Sequence, residues 1–212
     1  MRAGRARIEP GVETVPLILE TIVTTLSPEG ALHLVPFGLI QDGADYVLAP
    51  FRPSPTIHNL ATNPVFAASA PSDVRVIAGV VTGRRDWPVV PCEKIAGQRL
   101  AECFGHAEFE VVAVEEDAAR PRYRGRLVHA MSHRPFIGYN RAQAAVLEAA
   151  ILSTRLHMLP PDKILTEMAY HAIAISKTAG PAEREAWDWI EDKVAQALGR
   201  SERVLGNTGS AS

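Results

Sequence analysis

The chain has 212 residues, of which 47% are apolar, 22% charged and 6% aromatic. That length allows one domain with an appendage or two small ones. It holds enough apolar residues for a core without covalent staples, which excludes a collagen-like, wholly disordered or disulfide-scaffolded chain. Lysine plus arginine number 22 against 24 aspartate plus glutamate, a net charge of −2, so the basic excess that a general grip on nucleic acid requires is missing.

Residues 15–26 are rich in β-branched side chains (Val15, Ile18, Thr21, Ile22, Val23, Thr24, Thr25). Ser27-Pro28-Glu29-Gly30 then reads as a turn into a strand over 31–40, a hairpin signal. Asp42-Gly43-Ala44-Asp45 is a second turn, leading to a strand over 46–49. Residues 65–70 and 74–81 read as further strands separated by Pro71-Ser72-Asp73, and 109–114 and 122–131 as another pair. Short helical inserts are expected over 55–61 and 92–104. Many short strands without regular strand–helix alternation argue for an antiparallel barrel or sandwich. From Asn140 the period becomes helical: Ala144, Val146, Leu147, Ala150, Ile151 and Leu156, then 163–177, then 183–198. Pro160-Pro161 and Gly180-Pro181 punctuate these runs. The expected division is a flexible N-terminus over 1–13, a barrel over 14–138, a helical region over 139–199 and a disordered tail over 200–212.

The two cysteines, Cys92 and Cys103, are too few for a secreted disulfide framework and suit a thiol-reducing cytoplasm. The basic start, Met1-Arg2-Ala3-Gly4-Arg5-Ala6-Arg7, is followed by Ile8-Glu9-Pro10-Gly11 where a signal-peptide core would stand. No apolar run approaches the ~20 residues that span a bilayer. A cytoplasmic protein without membrane or nucleic-acid partners is expected.

The run Arg52-Pro53-Ser54-Pro55-Thr56-Ile57-His58-Asn59-Leu60 is the most informative. Ser54 suits an N-cap and Pro55 a first helical turn. A helix start gathers unpaired N–H donors that favour an anion, above all phosphate. Ser54 and Thr56 add hydroxyls, and Arg52 a full charge. The alternative is an ordinary capped helix with Arg52 in solvent. Pro36-Phe37-Gly38 interrupts the strand facing Thr24 and Thr25, which makes either room for a flat ligand or a bulged edge.

Cys92, Cys103 and His106 lack the paired short spacing of a zinc site. They read as buried thiols and a surface imidazole on or beside one helix, and no metal is expected. Arg84-Arg85-Asp86-Trp87 reads as a solvated turn, or else as a basic lip for a second ligand. His129, His133 and Arg134 lie on a late strand from which they could approach a ligand, and Trp187 and Trp189 read as helix packing. No Walker loop, dinucleotide fingerprint, HExxH or GxSxG occurs.

Threonines before a turn and glycine, then Pro36-Phe37-Gly38, then the 52–60 run, resemble the flavin-binding split-barrel superfamily. Asn140-Arg141-Ala142 opening a helix, and Thr154-Arg155-Leu156 beyond it, resemble its DUF447 branch, so that the likeness runs over about 14–199. The resemblance implies a mainly β fold with α, a six-stranded split β-barrel plus a C-terminal helical part. It also implies a homodimer with FMN at the subunit interface. By position, Ser54, Thr56 and Asn59 would meet the FMN phosphate with Arg52 assisting. Thr24 and Thr25 would line the flavin or its ribityl chain, and Pro36, Phe37 and Gly38 the isoalloxazine. His33 and Val35 depart from the Asn and small residue common in flavin reductases, and no acid or base motif is matched. The implied function is an FMN-dependent oxidoreductase or flavin reductase using NAD(P)H or a small-molecule substrate. The alternative is a non-catalytic flavin carrier or accessory protein, linked to tetrahydromethanopterin-dependent one-carbon metabolism.

Overall fold

Strand β1 (Ile18–Leu26) runs into β2 (Leu32–Asp42) through the expected turn, where Gly30 adopts φ 84° and donates its N–H to Ser27 O at 2.9 Å. The positive φ is open to glycine without a Cβ penalty. The hairpin keeps full register from Leu26 opposite Leu32 to Ile18 opposite Ile40. Gly43, at φ 66°, turns β2 into β3 (Asp45–Leu48). A computed structural model describes residues 15–199; the expected flexible start over 1–13 and disordered tail over 200–212 lie outside them.

Helix α1 (Pro55–Thr62) follows, then β4 (Val65–Pro71), α2 (Arg75–Val81), β5 (Val89–Pro91), β6 (Gln98–Leu100), β7 (Cys103–Glu115) and β8 (Arg122–Ser132). Helices α3 (Arg141–Ser153), α4 (Pro161–Thr178) and α5 (Pro181–Ala197) complete the chain. Six strands close an antiparallel barrel in the order β1-β2-β3-β8-β7-β4, while β5 and β6 pair as a separate hairpin. The architecture is thus mainly β with α, a six-stranded barrel of the split-barrel type with a helical C-terminal part.

Two apolar cores share the wall of this barrel. Val23, Leu39, Leu48, Leu60, Phe66, Ala68, Phe109 and Tyr123 pack one cluster. Ile22 and Leu34 join the other, with Val76, Ile77 and Val80 of α2 and buried faces of α3, α4 and α5. Adjacent strand residues point to opposite faces, so Ile22 and Val23 serve different cores. This explains the unbroken burial of residues 21–25 and the lack of alternation there.

Two expected elements are corrected. Residues 75–81 form α2 rather than a strand. Their β-branched side chains favour strand only weakly and locally, and burial of Val76, Ile77 and Val80 against the helical cluster decides the outcome. Residues 92–104 form no helix. They hold the β6 strand and the start of β7, and the N–H groups of Glu93, Lys94 and Ile95 donate to the Glu108 carboxylate at 2.7, 2.7 and 3.0 Å. Donors aimed at a side chain are not available to carbonyls one helical turn back.

Candidate functional site

The N-terminus of α1 forms as the sequence expects. Ser54 is the N-cap and its Oγ accepts the Thr56 N–H at 3.2 Å. The chain enters through a cis Arg52–Pro53 peptide. Ser54 O receives the next donors, from Ile57 at 3.1 Å and His58 at 3.4 Å. Thr56 is fully buried, yet its hydroxyl has no hydrogen-bond partner. Asn59, also buried, donates from Nδ2 to Thr25 Oγ1 at 2.9 Å, which ties α1 to the end of β1. Arg52 leans away to the β7–β8 connection, where it pairs with Glu116 at 2.8 Å and donates from Nε to Asp117 O at 3.3 Å. Both partners are exposed, so the ion pair itself contributes at most about 1 kcal/mol to holding Arg52.

The two threonines diverge. Thr25 meets α1, whereas the Thr24 hydroxyl donates to Gln98 O on β6 and so pins the β5–β6 hairpin to the barrel. Pro36 and Phe37 diverge likewise. Phe37 packs against the barrel cluster, and Pro36 lines a cavity of about 500 Å³ between β1, β2, α2, α3 and α5. A Cβ on Gly38 would stand 2.7 Å from Ile18 Cγ2, so the neighbouring strand covers that backbone. Along the β1–β2 ladder Pro36 lies opposite Ile22, three residues from Thr25, about 10 Å away at the usual rise.

The cavity falls in the range of small-molecule sites. Apolar walls come from Val35, Ile77, Val80, Leu147 and Ile151, with Glu20, Arg85 and Lys193 as charged groups. Burial, then the nearby Glu148, raises the Glu20 carboxyl above its ordinary value. Burial likewise lowers the Lys193 ammonium, which donates to Val81 O at 2.7 Å. Arg85, from the exposed 84–86 turn, is the basic residue of that turn that reaches the cavity. Arg84 instead lies over the Trp189 ring at 4.2 Å, and Trp187 is buried in the helical cluster.

A second polar cluster was not legible as such. His106, expected at the surface beside a helix, is 4% exposed on strand β7. Cys103 is buried on the same strand and Cys92 lies in a loop, so the single-helix placement is corrected. His106 Nε2 lies 3.0 Å from Glu93 Oε2 and 3.1 Å from Glu108 Oε1, and its Nδ1 lies 2.9 Å from His133 Nε2. His129 stands directly opposite Glu108 on β8. Burial alone would raise the Glu108 carboxyl, but the Glu93 amide and side chain, then His106 and the Lys94 amide, hold it below its ordinary value. The available signal was His106-x-Glu108, two residues apart and so on one face of a strand. Arg134 turns away and pairs with exposed Glu102.

Among the described residues no helix is long and apolar enough to cross a membrane. Two family models match: that of the DUF447 N-terminal domain, described as a protein of unknown function, over residues 19–134, and its C-terminal counterpart over 140–192. No curated protein matches the chain. Among solved structures, it is similar to an FMN-bound protein from Methanosarcina mazei of the same family model, at 20% identity and a TM-score of 0.72, covering 84% of this chain and 96% of that one. A flavoredoxin from Methanosarcina acetivorans shows 19% identity and a TM-score of 0.48, with 64% and 82% covered. The 2-nitrobenzoate 2-nitroreductase of Pseudomonas fluorescens shows 17% identity and 0.48, with 57% and 67% covered.

Proposed function

We infer that this chain, which belongs to the DUF447 family, binds FMN and uses it for hydride or electron transfer. The carrying observation is the Thr56 hydroxyl, buried and unpartnered at the first turn of α1. A desolvated hydroxyl at a helix start suits an anionic group such as a phosphate monoester. Ser54 caps that helix and Asn59 lies on it, and the Arg52 guanidinium is held by exposed contacts to Glu116 and to Asp117 O. The FMN-bound relative of the same family, matched over most of both chains, supports the same reading.

In this reading Ser54, Thr56 and Asn59 hold the phosphate, with Arg52 adding charge. Thr25, bonded to Asn59, borders the ribityl side, while Thr24 is turned to the β5–β6 hairpin. Pro36 and Phe37 face opposite sides of β2, so the side chain of only one of them can border the ring, and Ile18 covers Gly38. Bound flavin would supply the redox chemistry, and the protein's own part is to bind, orient and exclude water. The cavity behind Pro36 offers a place for a small-molecule or NAD(P)H substrate, with Arg85 as its cation. Exposed Leu17, Ile18, Phe136, Ile137 and Tyr139 favour a homodimer that covers them. A monomeric mass in solution would remove that part of the reading.

Purified full-length protein is expected to be yellow and to release FMN on heat denaturation. Colourless protein that fails to take up added FMN overturns the proposal. Anaerobic NADH or NADPH should bleach the bound flavin. If FMN is bound but stays oxidised with either donor, the chain is a flavin carrier or accessory protein rather than an oxidoreductase of this kind.

A further inference from the structure

We propose that Glu93, His106, Glu108 and His129 bind one divalent transition-metal ion of the zinc class, apart from the α1 site. Each residue offers one ligand atom, and the four atoms lie within 4.8 Å of one another. Tetrahedral zinc with bonds of about 2.0–2.1 Å to nitrogen and oxygen sets its ligand atoms roughly 3.3 Å apart. His106 Nε2 stands at 3.0 and 3.1 Å from the two carboxylates. Imidazole and carboxylate together suit zinc-class ions rather than calcium or magnesium, which take oxygen ligands.

Three further features suit an ion, and the first of them is one that a simple hydrogen-bonded cluster leaves unmet. His129 Nε2 is buried with no hydrogen-bond partner, an unmet desolvation that coordination by that ring would remove. The rings of His106 and His133 lie within 7° of parallel, with His106 Nδ1 2.9 Å from His133 Nε2, within hydrogen-bond reach. With the proton on His106 Nδ1, the Nε2 lone pair faces the carboxylates, the tautomer that a metal ligand needs. Glu108, finally, is fixed from behind by three backbone amides, the kind of support that orients a ligating carboxylate. Arg99 pairs with Glu93 at 3.1 Å, leaving the two converging carboxylates with more negative charge than that guanidinium offsets.

The topology gives the ion a role. Glu108 and His129 lie opposite each other on β7 and β8, and Glu93 comes from the loop between β5 and β6. Four protein ligands leave no open position, as in a structural site. The ion would clamp that loop to the barrel wall. The clamped segment includes Gln98, whose carbonyl accepts the Thr24 hydroxyl, so the clamp reaches the end of β1. Glu93 is partly exposed and provides the entrance.

Untagged full-length protein, stripped with EDTA, is dialysed against micromolar zinc chloride, and zinc per chain is measured by elemental analysis. One zinc per chain is expected, with affinity lowered at least about tenfold in Glu93→Gln and in His129→Gln. Hydrogen exchange at 92–97 should slow when zinc is added to the wild type and remain unchanged in both variants. Glu93→Gln alters a partly exposed side chain, so its folding is not at risk if His129→Gln proves unstable. Wild-type protein that retains no zinc, or binding unchanged in Glu93→Gln, overturns the proposal and leaves a hydrogen-bonded cluster without an ion.

Discussion

Replacing Thr56 by valine separates the cost of its hydroxyl from its use. Thr56 has no exposed surface and its Oγ1 no partner, so the flavin-free protein carries a buried polar group at a cost of about 1–3 kcal/mol. Valine keeps the branched shape, and its helix propensity is close to that of threonine. Flavin-free Thr56→Val should therefore be more stable by about 1 kcal/mol, a rise in Tm of roughly 2–4 °C for a chain of this size. FMN affinity should move the other way. A hydrogen bond to a charged group contributes about 1.5–3 kcal/mol, and each 1.4 kcal/mol is about tenfold in Kd. A fall of about tenfold or more is expected. Thermal melts of flavin-free protein and fluorescence titration with FMN read the two effects separately. A variant that melts higher yet binds FMN as the wild type does would show that this hydroxyl faces no phosphate. One that melts lower would show that the hydroxyl has a partner.

Asn59→Leu removes the donor to Thr25 Oγ1 inside a buried contact and should destabilise by about 1–3 kcal/mol, measured from urea midpoints, with FMN binding weakened as well. Phe66→Ala should lose about 3–5 kcal/mol, because its ring is buried and stacks on Phe109 at 4.8 Å; circular dichroism in urea reads the loss. Burial, then the charge of Arg85, holds His33 below its usual value of 6.5. The folded chain therefore binds fewer protons there than the unfolded one. Stability from this group is present above pH 6.5 and declines as pH falls through the lower folded value. His33→Gln should flatten that acid decline, as seen in unfolding curves between neutral and mildly acidic pH.

Local chemistry made much of this protein legible. Ser54-Pro55 announced α1 because a cap and a prolyl first turn act within a few residues, and Gly30 and Gly43 announced hairpins because their turns need positive φ. The three C-terminal helices were legible from apolar periodicity. Tertiary packing decided α2, where β-branched residues become helical because α3 and α5 bury them. It also decided 92–104, where Glu108 draws three amides out of any helical ladder. The candidate site divides in the same way. The α1 turn is a matter of neighbours in sequence. Which threonine meets Asn59, which faces Gln98, and which of Pro36 and Phe37 looks onto a cavity depend on strand parity and on what covers each face. The gathering of Glu93, His106, Glu108 and His129 depends on pairing between strands and on a loop folding back over them. Such pairing is set by burial across the whole barrel, which no local run of residues encodes.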